Sequence, residues 1–405
     1  MADNLVIIGA GQAGFALAAK LRSLGDTRPI TMLGSEPVAP YQRPPLSKKY
    51  LLGEMTFERL LFRPAEWYSE NNVDLRLSTP VEEIDRQAQA VRLFDGTTID
   101  YGHLVFATGA TPRRLPSAIG GDLASVYTVR DKADADALSA EMKAGRRLLI
   151  VGGGYIGLEA AAVARKLGLD VVLIEMADRI LARVAAKETA DSIRAIHQAE
   201  GVDIREKTGL VRLIGNDGQV VAAELSDGST VDADLVVVGI GVQANDLLAA
   251  KAGLETMNGI VVDDFARTGD PLIFAAGDCA VQVWKGERVR LESVQNAVDQ
   301  AEAIAALLVG GTEPYRPKPW FWSDQYDVKL QIAGFNLGYD ETIVRAGSRA
   351  GSSSVWYFRE GIFVAVDAIN DAKAYVTGKK LLETGAAVDR ALLRDQNADV
   401  KQLLA

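Results

Sequence analysis

The 405-residue chain contains a single cysteine, Cys279. One thiol can form neither an internal disulfide nor a redox dithiol, and it cannot supply the four thiolates of a usual iron–sulfur cluster. Histidine is almost as scarce. His103 and His197 are the only two, too few for a convincing metal site, so both read as structural. No apolar run approaches the ~20 residues needed to cross a bilayer. Residues 1–4 lead directly into an apolar strand with no basic segment or cleavage site, so the expected compartment is the cytoplasm. Positive charge is in deficit, with 44 Lys and Arg against 54 Asp and Glu for a formal net charge of −10. That balance argues against a nucleic-acid partner, which a basic field would favour. The remaining composition, 48% apolar and 24% charged, is ordinary, and the length suits two or three domains.

Glycine carries the information. An apolar strand, Leu5-Val6-Ile7-Ile8, runs into Gly9-Ala10-Gly11-Gln12-Ala13-Gly14, and a second, Leu148-Leu149-Ile150-Val151, runs into Gly152-Gly153-Gly154-Tyr155-Ile156-Gly157. Such a loop removes Cβ where a pyrophosphate must approach the backbone and aims the N–H groups of a helix N-terminus at its charge. One copy is weak; two in one chain imply two dinucleotides and electrons passing between them. Glu36 stands about 20 residues past Gly14, the interval expected of an acid on a ribose hydroxyl. Ser35 precedes it, and a hydroxyl at the ribose-facing position would bond more weakly than a carboxylate. In the second unit Glu175 closes an apolar strand. It favours two free ribose hydroxyls over a 2′-phosphate, and Met176 and Ala177 supply no cation to invert that preference, so NADH is expected over NADPH.

The pattern between these motifs predicts strand 5–8, a helix over about 14–24, strand 30–33, and an irregular proline-rich stretch over 37–50. Strands follow near 73–77, 90–94 and 98–106, the last stopping at Gly109 and Pro112. A helix over 133–144 precedes the second unit, with strand 148–151, helix 158–167 and strand 171–174. Next come helix 187–200, strands within 202–225 and 230–238, and a stop at Gly239-Ile240-Gly241. The chain returns through 259–263 and 273–279, with Asp278 at the start of a helix, and then a helix over 297–308. Residues 313–319 hold three prolines and read as a linker. The tail reads as an α+β unit with aromatic-rich strands over 320–335 and 354–366 and helices after 372.

With these residues in place the chain resembles the FAD-dependent pyridine-nucleotide reductases with two dinucleotide-binding domains. Within them it is most similar to the ferredoxin reductases of bacterial oxygenase systems. Carrying the resemblance are Arg43-Pro44-Pro45-Leu46-Ser47-Lys48, Ala107-Thr108-Gly109-Ala110-Thr111-Pro112, the second glycine run through Leu158-Glu159, Gly277-Asp278-Cys279-Ala280, and Trp320-Phe321-Trp322-Ser323-Asp324-Gln325-Tyr326. It implies an α/β fold of glutathione-reductase type, with two Rossmann-like domains and a C-terminal α+β domain. The implied division is an FAD-binding domain over 1–112 and 243–318, an NAD-binding domain over 113–242, and a C-terminal domain over 319–405.

The resemblance further implies FAD on Gly9, Gly11 and Gly14, with Ala13, Ser35 or Glu36, Arg43, Lys48, Val81, Ala107, Thr108, Gly109, Arg130, Gly277, Asp278, Val294 and Trp322 around it. NADH falls to Gly152, Gly154, Tyr155, Ile156, Gly157, Glu159, Glu175, Gly239 and Gly241. Lys48 is implied near flavin N5 and Glu159 where nicotinamide meets flavin, the two poised to pair. Trp322, with Trp320 nearby, is implied where electrons leave, although alternating aromatics on a strand also suit core packing. At Gly241-Val242-Gln243-Ala244-Asn245 the family's proline before the asparagine is missing, which predicts a looser turn. Lacking a cysteine between Tyr41 and Lys48, the chain has no thiol route from the flavin. The implied acceptor is a 2Fe–2S ferredoxin feeding a haem-thiolate monooxygenase or a dioxygenase, docking on Arg316, Lys318 and Lys329. The alternative acceptor is a quinone, dioxygen or another small molecule. No metal site and no membrane partner are expected, and monomer and weak homodimer both fit.

Overall fold

The computed structural model describes residues 3–284 and 286–404. Contacts group the chain into two compact units. The first takes residues up to Gln42, Phe57–Thr111 and Val242–Pro319; the second takes Arg43–Thr56, Pro112–Gly241 and the chain from Trp320 on.

The first unit is built on a parallel sheet ordered Ile273–Ala275, His103–Phe106, Leu5–Ile8, Ile30–Leu33, Val73–Arg76. Its central strands are buried along their whole length, as a sheet covered on both faces requires. Helices Gln12–Ser23 and Val294–Leu308 share a core with this sheet through Leu17, Leu21, Ala301 and Ile304. A three-stranded antiparallel sheet, Val81–Asp85, Ala90–Leu93 and Thr98–Asp100, completes the unit. The helix expected over 297–308 starts three residues earlier, because Ser293 caps it by accepting the Asn296 N–H. Asp278 does not open a helix. It sits in the single 3₁₀ turn Gly277–Cys279, which gives way at once to strand Ala280–Trp284. Val281, Val283 and Trp284 after Ala280 favour that strand. Residues 313–319 are not a free linker either. The Tyr315 N–H donates to the Asp264 carbonyl and its hydroxyl to Asn296, while Arg316 pairs with Asp264 at 2.9 Å.

The second unit repeats the plan in Val202–Glu206, Asp170–Glu175, Arg147–Val151, Leu235–Val238 and Val126–Tyr127, again parallel. Helix Tyr155–Lys166 follows the second glycine run. The chain from Trp320 on forms an antiparallel sheet ordered Trp320–Gln325, Val328–Gly334, Ile362–Ile369, Ser353–Arg359, Glu341–Ala346. Strand Glu341–Ala346 was not predicted; with only Thr342, Ile343 and Val344 as β-formers it is a short edge strand of weak pattern. Helix Ala372–Thr384 covers this sheet through Ala374 and Leu381. No helix among the described residues is long and apolar enough to cross a membrane.

A buried carboxylate ties helix Lys187–Ala199 to the antiparallel sheet. Thr189 donates its hydroxyl to Asp367 Oδ2 at 2.7 Å, Tyr357 donates to the same oxygen, and the Ala186 N–H donates to the Tyr357 hydroxyl at 2.8 Å. Asp367 Oδ1 is buried with no hydrogen-bond partner among the described residues. Burial pushes the Asp367 carboxyl up to about 6, against the pull of its two hydroxyl donors. A folded-state value above the unfolded one means that the native chain holds the proton more tightly. Stability from this site is therefore complete below the ordinary carboxylate range and is lost as pH rises through about 6. Between pH 5 and pH 8 the wild type should lose on the order of 1 kcal/mol relative to Asp367→Asn. Calorimetric Tm values of both proteins at the two pH values check this; parallel pH dependence would contradict it.

Candidate functional site

In each unit a parallel strand ends in a glycine whose backbone only glycine adopts comfortably. Gly9 has φ +118° and Gly152 φ +108°. A Cβ at Gly9 would collide with the Ala107 carbonyl oxygen, and one at Gly152 with that of Gly239. These two glycines therefore let the neighbouring strand end lie directly against the turn. The middle glycines differ. A Cβ at Gly11 or at Gly154 would meet nothing within 4 Å among the described residues. Both are helix N-caps that offer no side-chain cap to the first-turn N–H groups of Gln12–Ser23 and Tyr155–Lys166. An open approach, bare donors and a helix N-terminus fit a pyrophosphate in each unit. The third glycines, Gly14 and Gly157, sit inside their helices against the Gly9 and Gly152 carbonyl oxygens and serve packing.

Around the first cradle Gly277 has φ +79°, and a Cβ there would lie 3.3 Å from that of Ala297 and 3.4 Å from that of Ala13. Gln300 holds this turn by accepting the Gly277 N–H. Asp278 is half-buried and its carbonyl accepts from Arg290. Val294 is the half-buried first residue of its helix, and Val81 the half-buried first residue of its strand. Ser35 is exposed; Glu36 is half-buried and accepts the Tyr41 hydroxyl at 2.6 Å. Asn245 clamps Thr108-Gly109: it donates to the Thr108 carbonyl at 2.8 Å, accepts the Thr108 hydroxyl at 2.7 Å, and sends its own N–H to Gly109 at 3.0 Å. Thr111 adds a fourth bond at 2.8 Å. The turn expected to be loose without its proline is held by the asparagine itself.

In the second unit Glu175 is not a solvated strand end. Its two carboxylate oxygens accept the Gly153 and Ala177 N–H groups, each at 2.7 Å. Each oxygen keeps acceptor capacity for a hydroxyl. Gly239 and Gly241 (φ +92°) follow strand Leu235–Val238. Ile156 is exposed at the start of the helix. Tyr155, one position earlier, packs on Phe321 with ring centroids 4.8 Å apart. Its hydroxyl is buried with no hydrogen-bond partner among the described residues, and burial raises it well above the usual phenol range.

One turn along from Tyr155 lies Glu159, only 2% exposed. Lys48 Nζ approaches its Oε2 at 2.9 Å, the Ser47 hydroxyl donates to the same oxygen at 2.6 Å, and the Ser323 hydroxyl donates to Oε1 at 2.7 Å. Three side chains from two separate segments thus converge on one carboxylate. Ser47 and Ser323 were not anticipated as its partners, although both sit inside motifs that the sequence singles out. Arg43 donates to the Arg130 carbonyl at 3.0 Å, and the Arg130 N–H to Asp134. Trp320 and Trp322 lie on one face of their strand with rings 5.5 Å apart and are half-exposed, so neither is core. Lys379 stands over the Trp320 ring. Cys279 is fully buried, beside the Phe106 and Ala276 carbonyls, and burial raises its thiol.

The family profile for pyridine nucleotide-disulphide oxidoreductases matches residues 3–301. The chain belongs to this family. A second profile, reductase C-terminal, matches residues 320–404. Among members, a ferredoxin–NAD(P)(+) reductase of a Sphingomonas species is 44% identical over 397 residues, covering 97% of this chain and 96% of that one. Rhodocoxin reductase of Rhodococcus erythropolis is 43% identical over 404 residues, 99% and 94% of the two chains. In the solved covalent complex of putidaredoxin reductase with putidaredoxin, a chain 39% identical superposes with a TM-score of 0.96, covering 99% of this chain and 98% of its own. The disulphide in the family's name has no counterpart here, because the sequence holds one cysteine.

Proposed function

We propose that this protein is an NADH-dependent flavoprotein reductase that passes single electrons to a 2Fe–2S ferredoxin of an oxygenase system in the cytoplasm. The observation that carries the reading is a pair of glycine-opened helix N-termini, each with space for a pyrophosphate, in a chain with no second cysteine. FAD, when bound, supplies the change from a two-electron donor to a one-electron acceptor. The first-turn N–H groups behind Gly11 hold its pyrophosphate, with Ala13, Ser35 or Glu36, Val81, Thr108, Gly109, Asp278 and Val294 as the surrounding residues. Those behind Gly154 hold the pyrophosphate of NADH, and Glu175 accepts from its ribose while repelling a 2′-phosphate. Lys48 supplies positive charge beside the reacting rings, and Glu159 holds that ammonium in place. Arg43 and Arg130 are the remaining cationic contacts, and Trp322 is the aromatic neighbour. We retain the discontinuous division of 1–112 with 243–318, 113–242 and 319–405 as the functional domain plan.

The ferredoxin is acidic on this reading, so its dock is basic. Lys318 and Lys329 are exposed; Arg316, paired with Asp264, offers less free charge. Stopped-flow mixing of the NADH-reduced protein with 2Fe–2S ferredoxins and with quinones tests the assignment. Ferredoxin should be reduced faster, and the rate should fall as salt rises. Rapid NADH oxidation with reduction of quinone or dioxygen but no ferredoxin would replace the acceptor. A folded protein that takes up no FAD would end the reading.

A further inference from the structure

Glu159 Oε1 is the end of a longer chain of buried hydrogen bonds. The Ser323 hydroxyl donates to it; Gln325 Nε2 lies 3.0 Å from Ser323 Oγ; His197 Nε2 lies 2.8 Å from Gln325 Oε1; and the Tyr326 hydroxyl lies 3.2 Å from His197 Nδ1. Ser323, Gln325 and His197 are each no more than 2% exposed.

The direction of every bond follows from the carboxylate. A carboxylate only accepts, so the one proton of Ser323 points at Glu159. Ser323 Oγ must then accept from its other neighbour, which makes Gln325 present its NH₂ there. The Gln325 carbonyl is thereby turned to His197, which must offer Nε2–H. Nδ1 is left with a lone pair, and Tyr326 donates to it. Four donors in series point the same way.

Two further features agree. Burial lowers His197 below the ordinary imidazole range, which favours the neutral ring that this order needs. Tyr326 adopts φ +57° in the two-residue turn joining Trp320–Gln325 to Val328–Gly334, a backbone state uncommon for an aromatic residue. That turn sets its ring edge-on to His197 at 5.1 Å.

We infer that Tyr326, His197, Gln325 and Ser323 form a one-directional hydrogen-bonded chain that fixes the orientation of the Glu159 carboxylate, with His197 as a positioning residue for the Lys48–Glu159 pair. The functional consequence rests on the proposed NADH-dependent reduction; the orientation itself does not. If Ser323 lost its partner, the Glu159 carboxylate could turn, and Lys48 would lose its fixed anchor beside the reacting rings. Misplacement of such a group slows a reaction without abolishing binding.

With two histidines in the sequence, the experiment is direct. Holoenzyme labelled with ¹⁵N-histidine on a His103→Gln background reports His197 alone. Its nitrogens should show a single neutral tautomer protonated at Nε2. Ser323→Ala should move both signals toward tautomeric averaging while circular dichroism and flavin content stay unchanged. In stopped flow, His197→Leu should slow flavin reduction by NADH about 5- to 10-fold, and His197→Gln, which keeps a donor toward Gln325, should stay within about 2-fold of wild type. A wild-type ring protonated at Nδ1 overturns the inference, as do nitrogens unmoved by Ser323→Ala or equal rates for the Leu and Gln variants. A wild type that NADH does not reduce counts against the functional reading alone, since the nitrogen signals still decide the chain.

Discussion

Gly154→Val should leave a folded, flavin-bearing protein whose KM for NADH rises about 100-fold, a loss near 3 kcal/mol. The asymmetry among the glycines of one loop makes this informative. Gly154 has an extended backbone (φ −80°, ψ 178°) that valine tolerates, and its Cβ direction is open. The added Cβ meets no atom of the described residues within 4 Å, so the change should cost folding little; it stands where the pyrophosphate would approach. Gly152→Ala, two positions earlier, should instead unfold the second unit, since the methyl collides with the Gly239 carbonyl at a φ that alanine resists. The parallel change Gly11→Val should give a folded but colourless protein. Steady-state kinetics, absorbance and thermal melts separate the three. If Gly154→Val binds NADH like the wild type, the second cradle holds something else.

Lys48→Met should slow flavin reduction by NADH about 10- to 100-fold and destabilise the protein by about 2–3 kcal/mol. Breaking a fully buried ion pair by removing one partner costs about 3–5 kcal/mol, because the other charge stays behind. The figure here is smaller because the Lys48 side chain is 17% exposed, and because the Ser47 and Ser323 hydroxyls still serve the carboxylate. Glu159→Gln removes the other partner. Its carbonyl can still accept from one serine while its NH₂ donates to the hydroxyl oxygen of the other, and the Lys48 ammonium has the Pro44 carbonyl 3.5 Å away. The glutamine variant should therefore be the more stable of the two. Denaturant midpoints compare them, and equal losses would mean that burial of the carboxylate is not what makes the pair matter.

The parts of this protein that were legible in the sequence are those where a local rule acts alone. Buried parallel strands read as apolar runs, so Leu5–Ile8, Ile30–Leu33, Arg147–Val151 and Leu235–Val238 stood out. Gly9 and Gly152 announced turns that need positive φ. Asp278 misled because an aspartate after a glycine resembles a helix cap, yet the pairing of Ala280–Trp284 with Glu287–Val289 decided the backbone beyond it. The proline missing before Asn245 misled in the other direction: chain stiffness can be read locally, but the backbone and side-chain bonds of Asn245 to Thr108, Gly109 and Thr111 join residues far apart in sequence. Glu159 was singled out, but the serines that hold it were not, since nothing in a lone serine says which carboxylate it will face. Gln325 and His197 are likewise 128 positions apart and meet only in the folded unit.

The seclusion of Cys279 has a practical side. A thiol with no exposed surface, crowded by two carbonyls and reluctant to ionise, should ignore maleimides and iodoacetamide in the folded protein. A cysteine introduced on the surface would then be the one site that such reagents find. Spin labels or fluorophores could be set beside Trp322 or along the strand carrying Lys329 and used to watch an electron acceptor arrive, with no wild-type background to remove.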